Sequence, residues 1–230
     1  MIKTSLINPM YPILPLGNVP GVAYSDKETV INFFASLAYL TLIHLVMRLA
    51  VNKVPEYKKE NKKEMIVCHI ITAGVSLSML LMFGLSDMLI KGTVFYLILL
   101  YSSLSDNHTR TLNDAASVMV VITSFIGADV SDIPKMVLSA LVLFGVLLIF
   151  AVATNGGLGG ADIKLTGACA LVLGLWSATF GLIVGLCLAI AHTLIKYRGK
   201  DKNDDLAFPF VPYLSIGYMA GFFLQGGFLK

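Results

Sequence analysis

The stretch from residue 134 to residue 165 reads PKMVLSALVLFGVLLIFAVATNGGLGGADIKL, and it carries no charged side chain between Lys135 and Asp162. A helix needs a predominantly apolar run of roughly 17 to 25 residues to cross a bilayer. This run ends in a glycine cluster that is followed by Asp162 and Lys164. Because a charge at the edge of a membrane span is costly, these two residues are candidate functional residues.

The composition of the 230-residue chain also indicates a membrane protein. Hydrophobic residues make up 57% of the chain and charged residues only 13%, whereas soluble domains have about 25% charged residues. The mean hydropathy of +0.80 is too high for a soluble domain that must hide its apolar surface. We therefore predict an all-α, polytopic transmembrane bundle with the lipid bilayer as its partner.

Apolar runs predict about eight spans. Their approximate bounds are 29–49, 65–85, 92–105, 114–127, 134–153, 164–176, 177–196 and 209–228. The spans at 114–127 and 164–176 are short for a full crossing. Residues 164–196 could instead form one helix broken near Gly174 and Trp176, which would leave seven spans.

The positive charges orient the predicted bundle. If residues 50–64 form the first cytoplasmic loop, then Arg110, Lys164 and the basic segment 196–202 also lie inside, as the positive-inside rule requires. Both termini are then outside, and the protein is a multi-pass protein of the plasma membrane. Residues 1–28 are rich in proline and lack the pattern of a signal peptide. We predict that they form an external arm before a single membrane domain at 29–230.

Cysteine and histidine give no sign of a metal site. None of the cysteines forms a C-x-x-C pair, and the histidines do not show ligand spacing. We therefore expect buried, unpaired cysteines and no metal, cofactor or nucleic acid. The residues concerned are Cys68, Cys169, Cys187, His44, His69, His108 and His192.

Two aspartates, Asp106 and Asp162, lie at span borders on the predicted cytoplasmic face. The simplest structural role of Asp162 is a helix N-cap, with Lys164 as an interface anchor, and Asp106 could merely end a span. Alternatively, two carboxylates about 3 Å apart share one proton and supply both an acid and a base for peptide hydrolysis. The pair thus suggests an intramembrane aspartyl protease.

The chain resembles the type IV prepilin peptidases, which are membrane aspartyl proteases of the GxGD class. In the family's order, it has Asp106 followed by a polar stretch that ends in Asn113 and Asp114. Residues 159–165, GGADIKL, correspond to the family motif G-x-G-D-x-K-L, and residues 209–214 read PFVPYL. The resemblance covers about residues 65–228.

The resemblance implies that Asp106 and Asp162 are the catalytic pair, with Asp114 as the competitor for the first role. The family glycine before the second aspartate is Ala161 here, and the family proline is Asn113, which leaves Asp114 as the expected helix cap. Lys164 is a candidate for steadying the Asp162 carboxylate. The other implied positions are motif residues Gly159 and Gly160 and the substrate or packing residues Pro209, Phe210 and Pro212.

The implied activity is removal of the short basic leader from prepilin or pseudopilin precursors of pilus or secretion systems, at the cytoplasmic border. Many family members place a methyltransferase region with C-x-x-C pairs in the first cytoplasmic loop. Residues 52–64 are too short for that region and contain no cysteine, so we expect a peptidase without N-methylation. The alternatives are a small ion- or proton-coupled transporter and an inactive scaffold of a pilus or secretion assembly.

Overall fold

The computed structural model describes residues 26–54, 62–155, 157–196 and 208–227. Within these ranges the chain forms α-helices joined by turns and one short 3-10 helix, with no β-strand, which confirms the all-α prediction. The predicted arm up to residue 25, most of the first loop and the basic segment after residue 196 lie outside the described residues. The helices are α1 Asp26–Val51, α2 Lys62–Phe83, α3 Asp87–Thr109, α4 Asp114–Ser124, α5 Ile133–Ala153, α6 Gly160–Lys196 and α7 Val211–Gly227.

In the described part of the chain, five helices are long and apolar enough to cross a membrane: α1, α2, α3, α5 and α6. Helix α1 and helix α5 expose large apolar side chains such as Phe33 and Ile149, because these helices face lipid rather than water. Helix α4 has 11 residues and is therefore only about 16 Å long. It is a short segment, as the sequence predicted for residues 114–127.

Helix α6 is broken at Gly174, whose φ of 71° and ψ of 171° are not helical. Before Gly174, later residues of α6 contact later residues of α7. After Gly174, later residues of α6 contact earlier residues of α7. In the first half of α6, Thr166 meets Tyr218 and Leu173 meets Gly221. In the second half, Ser177 lies against Gly221 and Gly185 lies against Leu214. The two halves are therefore antiparallel, which supports the interpretation of residues 164–196 as two spans.

Glycines bring α7 into close contact with the second half of α6. A Cβ at Gly181 would lie 2.8 Å from the carbonyl oxygen of Gly217, and a Cβ at Gly217 would collide with the backbone of Gly181. A Cβ at Gly221 would meet the backbone of Ser177. Gly181 and Gly185 in α6, like Gly217 and Gly221 in α7, have G-x-x-x-G spacing, and here this spacing serves helix packing within the protein.

Helix α7 also packs against α3, and it links the two helices that carry the candidate aspartates. Phe222 at one end of α7 contacts Phe95 of α3, and Ser215 donates to the carbonyl oxygen of Leu99. The helices alternate in direction, so the last turn of α3 and the first turns of α4, α6 and α7 lie on one face of the bundle. The termini themselves lie outside the described residues, and their predicted location stays a prediction.

Candidate active site

Asp106 lies in the last turn of α3 and not beyond the end of a span, because α3 continues to Thr109. The helix ends at Arg110, whose left-handed backbone lets its N–H donate to the carbonyl oxygen of Asp106 over 2.9 Å. The Asp106 side chain is turned inward and is only 9% exposed. A buried carboxyl group requires hydrogen-bond donors, and α3 cannot supply them at its carbonyl end.

The donors come from the start of α7. The backbone N–H of Val211, the first residue of α7, donates to Oδ2 of Asp106 over 3.0 Å. The backbone N–H of Phe210 also lies near this carboxyl group. Free N–H groups at the start of a helix form an anion-binding site. The family resemblance implied substrate contact or packing for Pro209, Phe210 and Pro212, whereas the PFVPYL segment here presents its backbone to Asp106.

Asp162 is the third residue of α6, and Gly159 precedes that helix as its N-cap. The carbonyl oxygen of Gly159 accepts from the N–H groups of Asp162 and Ile163 over 3.1 and 3.2 Å. Asp162 is therefore not the N-cap, which was the simplest structural role for it. A Cβ at Gly159 would lie 2.8 Å from Oδ2 of Asp162, whereas a Cβ at Gly160 would meet nothing within 4 Å. Gly159 is thus the glycine that makes room for the carboxyl group.

The two aspartates come together at this face. The side chain of Asp162 lies within electrostatic range of Asp106, although the two residues belong to different helices. Asp162 accepts no backbone hydrogen bond from the described part of the chain, whereas Asp106 has its partners at the start of α7. The arrangement offers two carboxyl groups with unequal surroundings.

Lys164 contacts Asp114 of α4. Its Nζ lies 3.0 Å from both carboxylate oxygens of Asp114, so it does not directly steady the Asp162 carboxylate, which was the role that the sequence suggested.

The prediction that Asp114 caps α4 is wrong. The N-cap is Asn113, whose Oδ1 accepts from the N–H of Ala115 over 3.0 Å, because an amide oxygen at that position reaches the second residue of the helix.

Two features near the aspartates have no signal in the sequence. Tyr218 of α7 is fully buried and its hydroxyl donates to Oγ1 of Thr166, one turn after Asp162. This hydrogen bond ties the helix of Asp162 to α7, and no local pattern in the sequence indicates it. A polar pocket of about 470 Å³ also opens beside the end of α3. Its lining residues are Tyr101, Ser105, Thr111, Leu112, Asn113 and Asp114.

Two histidines lie at this face: His108 meets Glu64 of α2 over 3.1 Å, and the ring of His192 packs against Tyr213 in the first turn of α7. Cys68 and Cys169 are buried and unpaired, as expected, but Cys187 is exposed, because its part of α6 faces outward. His44 and His69, which the sequence treated as scattered, meet between α1 and α2 with 3.1 Å between their Nδ1 atoms. Among the described residues, no three His, Cys, Asp or Glu side chains converge to hold a metal ion.

Comparison with known proteins gives one match. Residues 93–194 match the sequence profile of the type IV leader peptidase family, and this segment contains both candidate aspartates. The match confirms the resemblance that the motifs indicated. No match was found among curated proteins or among solved structures.

Proposed function

We propose that this chain, whose residues 93–194 match the type IV leader peptidase family, is an aspartyl endopeptidase embedded in the membrane. Its substrates are prepilin-like precursors with a short basic leader followed by an apolar helix. One observation carries the proposal: the contacts of α3 with the start of α7 and of α6 with the start of α4 bring Asp106 and Asp162 to one face of the bundle. The start of α7 holds the first of them with backbone donors.

The unequal surroundings of the aspartates assign their roles. Backbone N–H groups favour the ionised form of the carboxyl group that accepts them, so Asp106 is the general base. Asp162 carries the proton of the pair because two neighbouring carboxylates cannot both ionise. A water molecule between them loses a proton to Asp106 as its oxygen attacks the scissile carbonyl carbon. Asp162 donates its own proton to the carbonyl oxygen.

The second half of the reaction returns both groups to their starting states. The tetrahedral gem-diol breaks its C–N bond as Asp106 passes its proton to the leaving nitrogen. A hydroxyl proton of the gem-diol returns to Asp162 as the new carboxylic acid forms. Proton transfers of this kind contribute typically about 10² to 10⁴ in rate.

The location of the site suits a substrate that is part helix and part soluble leader. The apolar helix of the precursor can stay in lipid while its basic leader lies in water beside the end of α3. The polar pocket next to Ser105 offers a place for residues near the cut. We place this face in the cytoplasm because Arg110 and Lys164 lie on it, in agreement with the positive-inside rule.

We further propose that the enzyme does not methylate the new N-terminus of its product. The first loop on the side of the site has no cysteine between the end of α1 and the start of α2, and the family's methyltransferase region is longer than this loop. A methyl-transfer assay with S-adenosylmethionine and a cleaved precursor tests the statement. Methylated product formed by the purified chain would contradict it.

The test of the peptidase is a mobility-shift assay in which the chain is co-expressed with a panel of prepilin and pseudopilin precursors. The wild type is expected to shorten at least one precursor. Asp106→Asn and Asp162→Asn should each abolish cleavage while remaining in the membrane at the level of the wild type. Asp114→Asn neutralises a third aspartate at the same face and should lower cleavage by no more than about 10-fold, so it separates loss of a catalytic carboxyl group from loss of a neighbouring charge.

The other outcomes of this assay have definite meanings. If no precursor is cleaved although all the proteins are present in the membrane, the scaffold and transporter hypotheses gain support. Proton-coupled flux that Asp162→Asn abolishes would then identify a transporter. Cleavage that survives either catalytic substitution would show that the pair is wrongly assigned.

A further inference from the structure

The ion pair between Lys164 and Asp114 joins the two segments that carry the aspartates. Lys164 lies two residues after Asp162 near the start of α6, and Asp114 begins α4 directly after the loop that follows α3. The Nζ of Lys164 lies 3.0 Å from each carboxylate oxygen of Asp114. A lysine ammonium placed between both oxygens fixes the start of α4 against the start of α6.

The loop between Asp106 and Asp114 is short and is itself fixed by hydrogen bonds. Ser105 donates through its hydroxyl to the carbonyl oxygen of Thr111 over 3.2 Å. Thr109 shares a hydrogen bond of 2.8 Å with the hydroxyl of Thr111. A displacement of Asp114 is therefore transmitted to the last turn of α3, where Asp106 lies.

The exposure of the pair argues against a role in folding. The side chains of Lys164 and Asp114 are 53% and 67% exposed, and exposed ion pairs contribute little to stability. The packing of α6 rests instead on its buried contacts with α7, such as the hydrogen bond from Tyr218 to Thr166. Helices α4 and α6 also pack against each other, and the ion pair lies where both helices begin, between the turn that carries Asp162 and the loop that follows α3.

We infer that Lys164 and Asp114 are positioning residues whose ion pair holds Asp162 at reacting distance from Asp106. This inference rests on the proposed peptidase function, because it assigns the pair a task in the same site. Neither residue touches the reacting atoms. Small errors in the placement of catalytic groups cost large factors in rate, so a pair that adds little stability can still control kcat.

The first experiment is a charge-reversal cycle measured on precursor cleavage. Lys164→Gln and Asp114→Asn should each lower kcat about 5- to 10-fold, in line with the coupling expected for residues in contact, while KM changes less than about twofold. The double variant Lys164→Asp with Asp114→Lys restores an ion pair and should recover kcat to within about threefold of the wild type. Single variants at wild-type kcat, or a double variant no better than the singles, would overturn the inference.

The chain offers a matched control pair. Lys135 and Asp132 form an exposed ion pair of 3.6 Å at the start of α5, on the opposite face of the bundle. Lys135→Gln and Asp132→Asn remove the same charges and should leave kcat unchanged. An equal loss of kcat in these variants would show that the effect at Lys164 is a general effect of charge, which would also overturn the inference.

A second measurement does not depend on cleavage. The native cysteines are first replaced by Ala; these are Cys68, Cys169 and Cys187. Asp106→Cys and Asp162→Cys are then introduced together. The rate at which they form a disulfide under mild oxidation reports how often the two positions meet. Adding Lys164→Gln should slow the reaction several-fold, whereas adding Lys135→Gln should not. An unchanged rate would overturn the positioning role even if no precursor is cleaved. A slowed rate with no cleavage would support the positioning role and count against the proposed function alone.

Discussion

The two aspartates lie at opposite kinds of helix end. Asp106 is in the last turn of α3, where the carbonyl groups of its own helix give a partial negative charge that opposes a carboxylate. Asp162 is in the first turn of α6, where the helix gives a partial positive charge that favours one. Asp106 therefore depends on donors from elsewhere in the fold to ionise, whereas Asp162 carries the shared proton because of its neighbour Asp106 and in spite of its own helix end.

The donor to Asp106 comes from α7, which lies far away in the chain. Val211 donates to Asp106 across a separation of 105 residues, whereas the room for the Asp162 carboxyl group is made by Gly159 within the same motif. One carboxyl group is thus supported by tertiary structure and the other by local structure. The difference indicates that the PFVPYL segment serves the site through its backbone.

Among the substitutions that test this difference, removal of the backbone donor to Asp106 should cause the largest loss of activity. Val211→Pro deletes the N–H at the first residue of α7, a position where helices tolerate proline. Loss of a hydrogen bond to a charged group is worth about 1.5 to 3 kcal/mol, so kcat/KM for precursor cleavage should fall about 10- to 100-fold.

The control for this substitution is Val211→Ala, which keeps the N–H and removes most of the buried side chain. We expect Val211→Ala to lower the thermal stability of the protein in detergent. Its kcat/KM should fall much less than that of Val211→Pro. If Val211→Ala and Val211→Pro lose the same activity, the side chain and not the backbone donor of Val211 supports the site.

Crowding of Asp162 should have the next largest effect. Gly159→Ala places a Cβ 2.8 Å from Oδ2 of Asp162, which forces the carboxyl group to move and should lower kcat about 10-fold. Gly160→Ala adds the same methyl group one residue later, into open space, and should leave kcat near the wild-type value. Cleavage assays on the two variants side by side would reject the account if both lose activity equally.

Restoration of the family residue beside Asp162 should have the smallest effect. Ala161→Gly recreates the family glycine, but it lies inside the first turn of α6, where glycine is less favourable than alanine by up to about 1 kcal/mol. We expect cleavage rates within about twofold of the wild type and a slightly lower thermal stability. A gain of tenfold or more in activity would mean that Ala161 obstructs the substrate.

The sequence predicted those parts of the site that are local. The glycine motif located Asp162, and the apolar runs located the helices to within a few residues, because both signals are contained in short stretches. The antiparallel break at Gly174 was anticipated as one of two alternatives. The composition around Gly174 alone could not decide between them, whereas the contacts of the two halves of α6 with α7 do.

The parts that the sequence could not predict depend on which helices are neighbours. The hydrogen bond from Val211 to Asp106, the ion pair of Lys164 with Asp114 and the meeting of His44 with His69 all join residues from different helices. Such contacts are set by the packing of the whole bundle. The sequence therefore identified Lys164 as a residue of interest but not its partner.

The central claim is that Asp106 and Asp162 act as one catalytic unit. The most direct test is the value of kcat/KM for cleavage of one precursor by Asp106→Asn, by Asp162→Asn and by the double variant. Each single variant should lose roughly 10² to 10⁴ in kcat/KM. The kcat/KM of the double variant should be no lower than that of the less active single variant, because the losses from residues that act as a unit do not add up. A single variant within about tenfold of the wild type, or a double variant whose loss is the product of the single losses, would contradict the account.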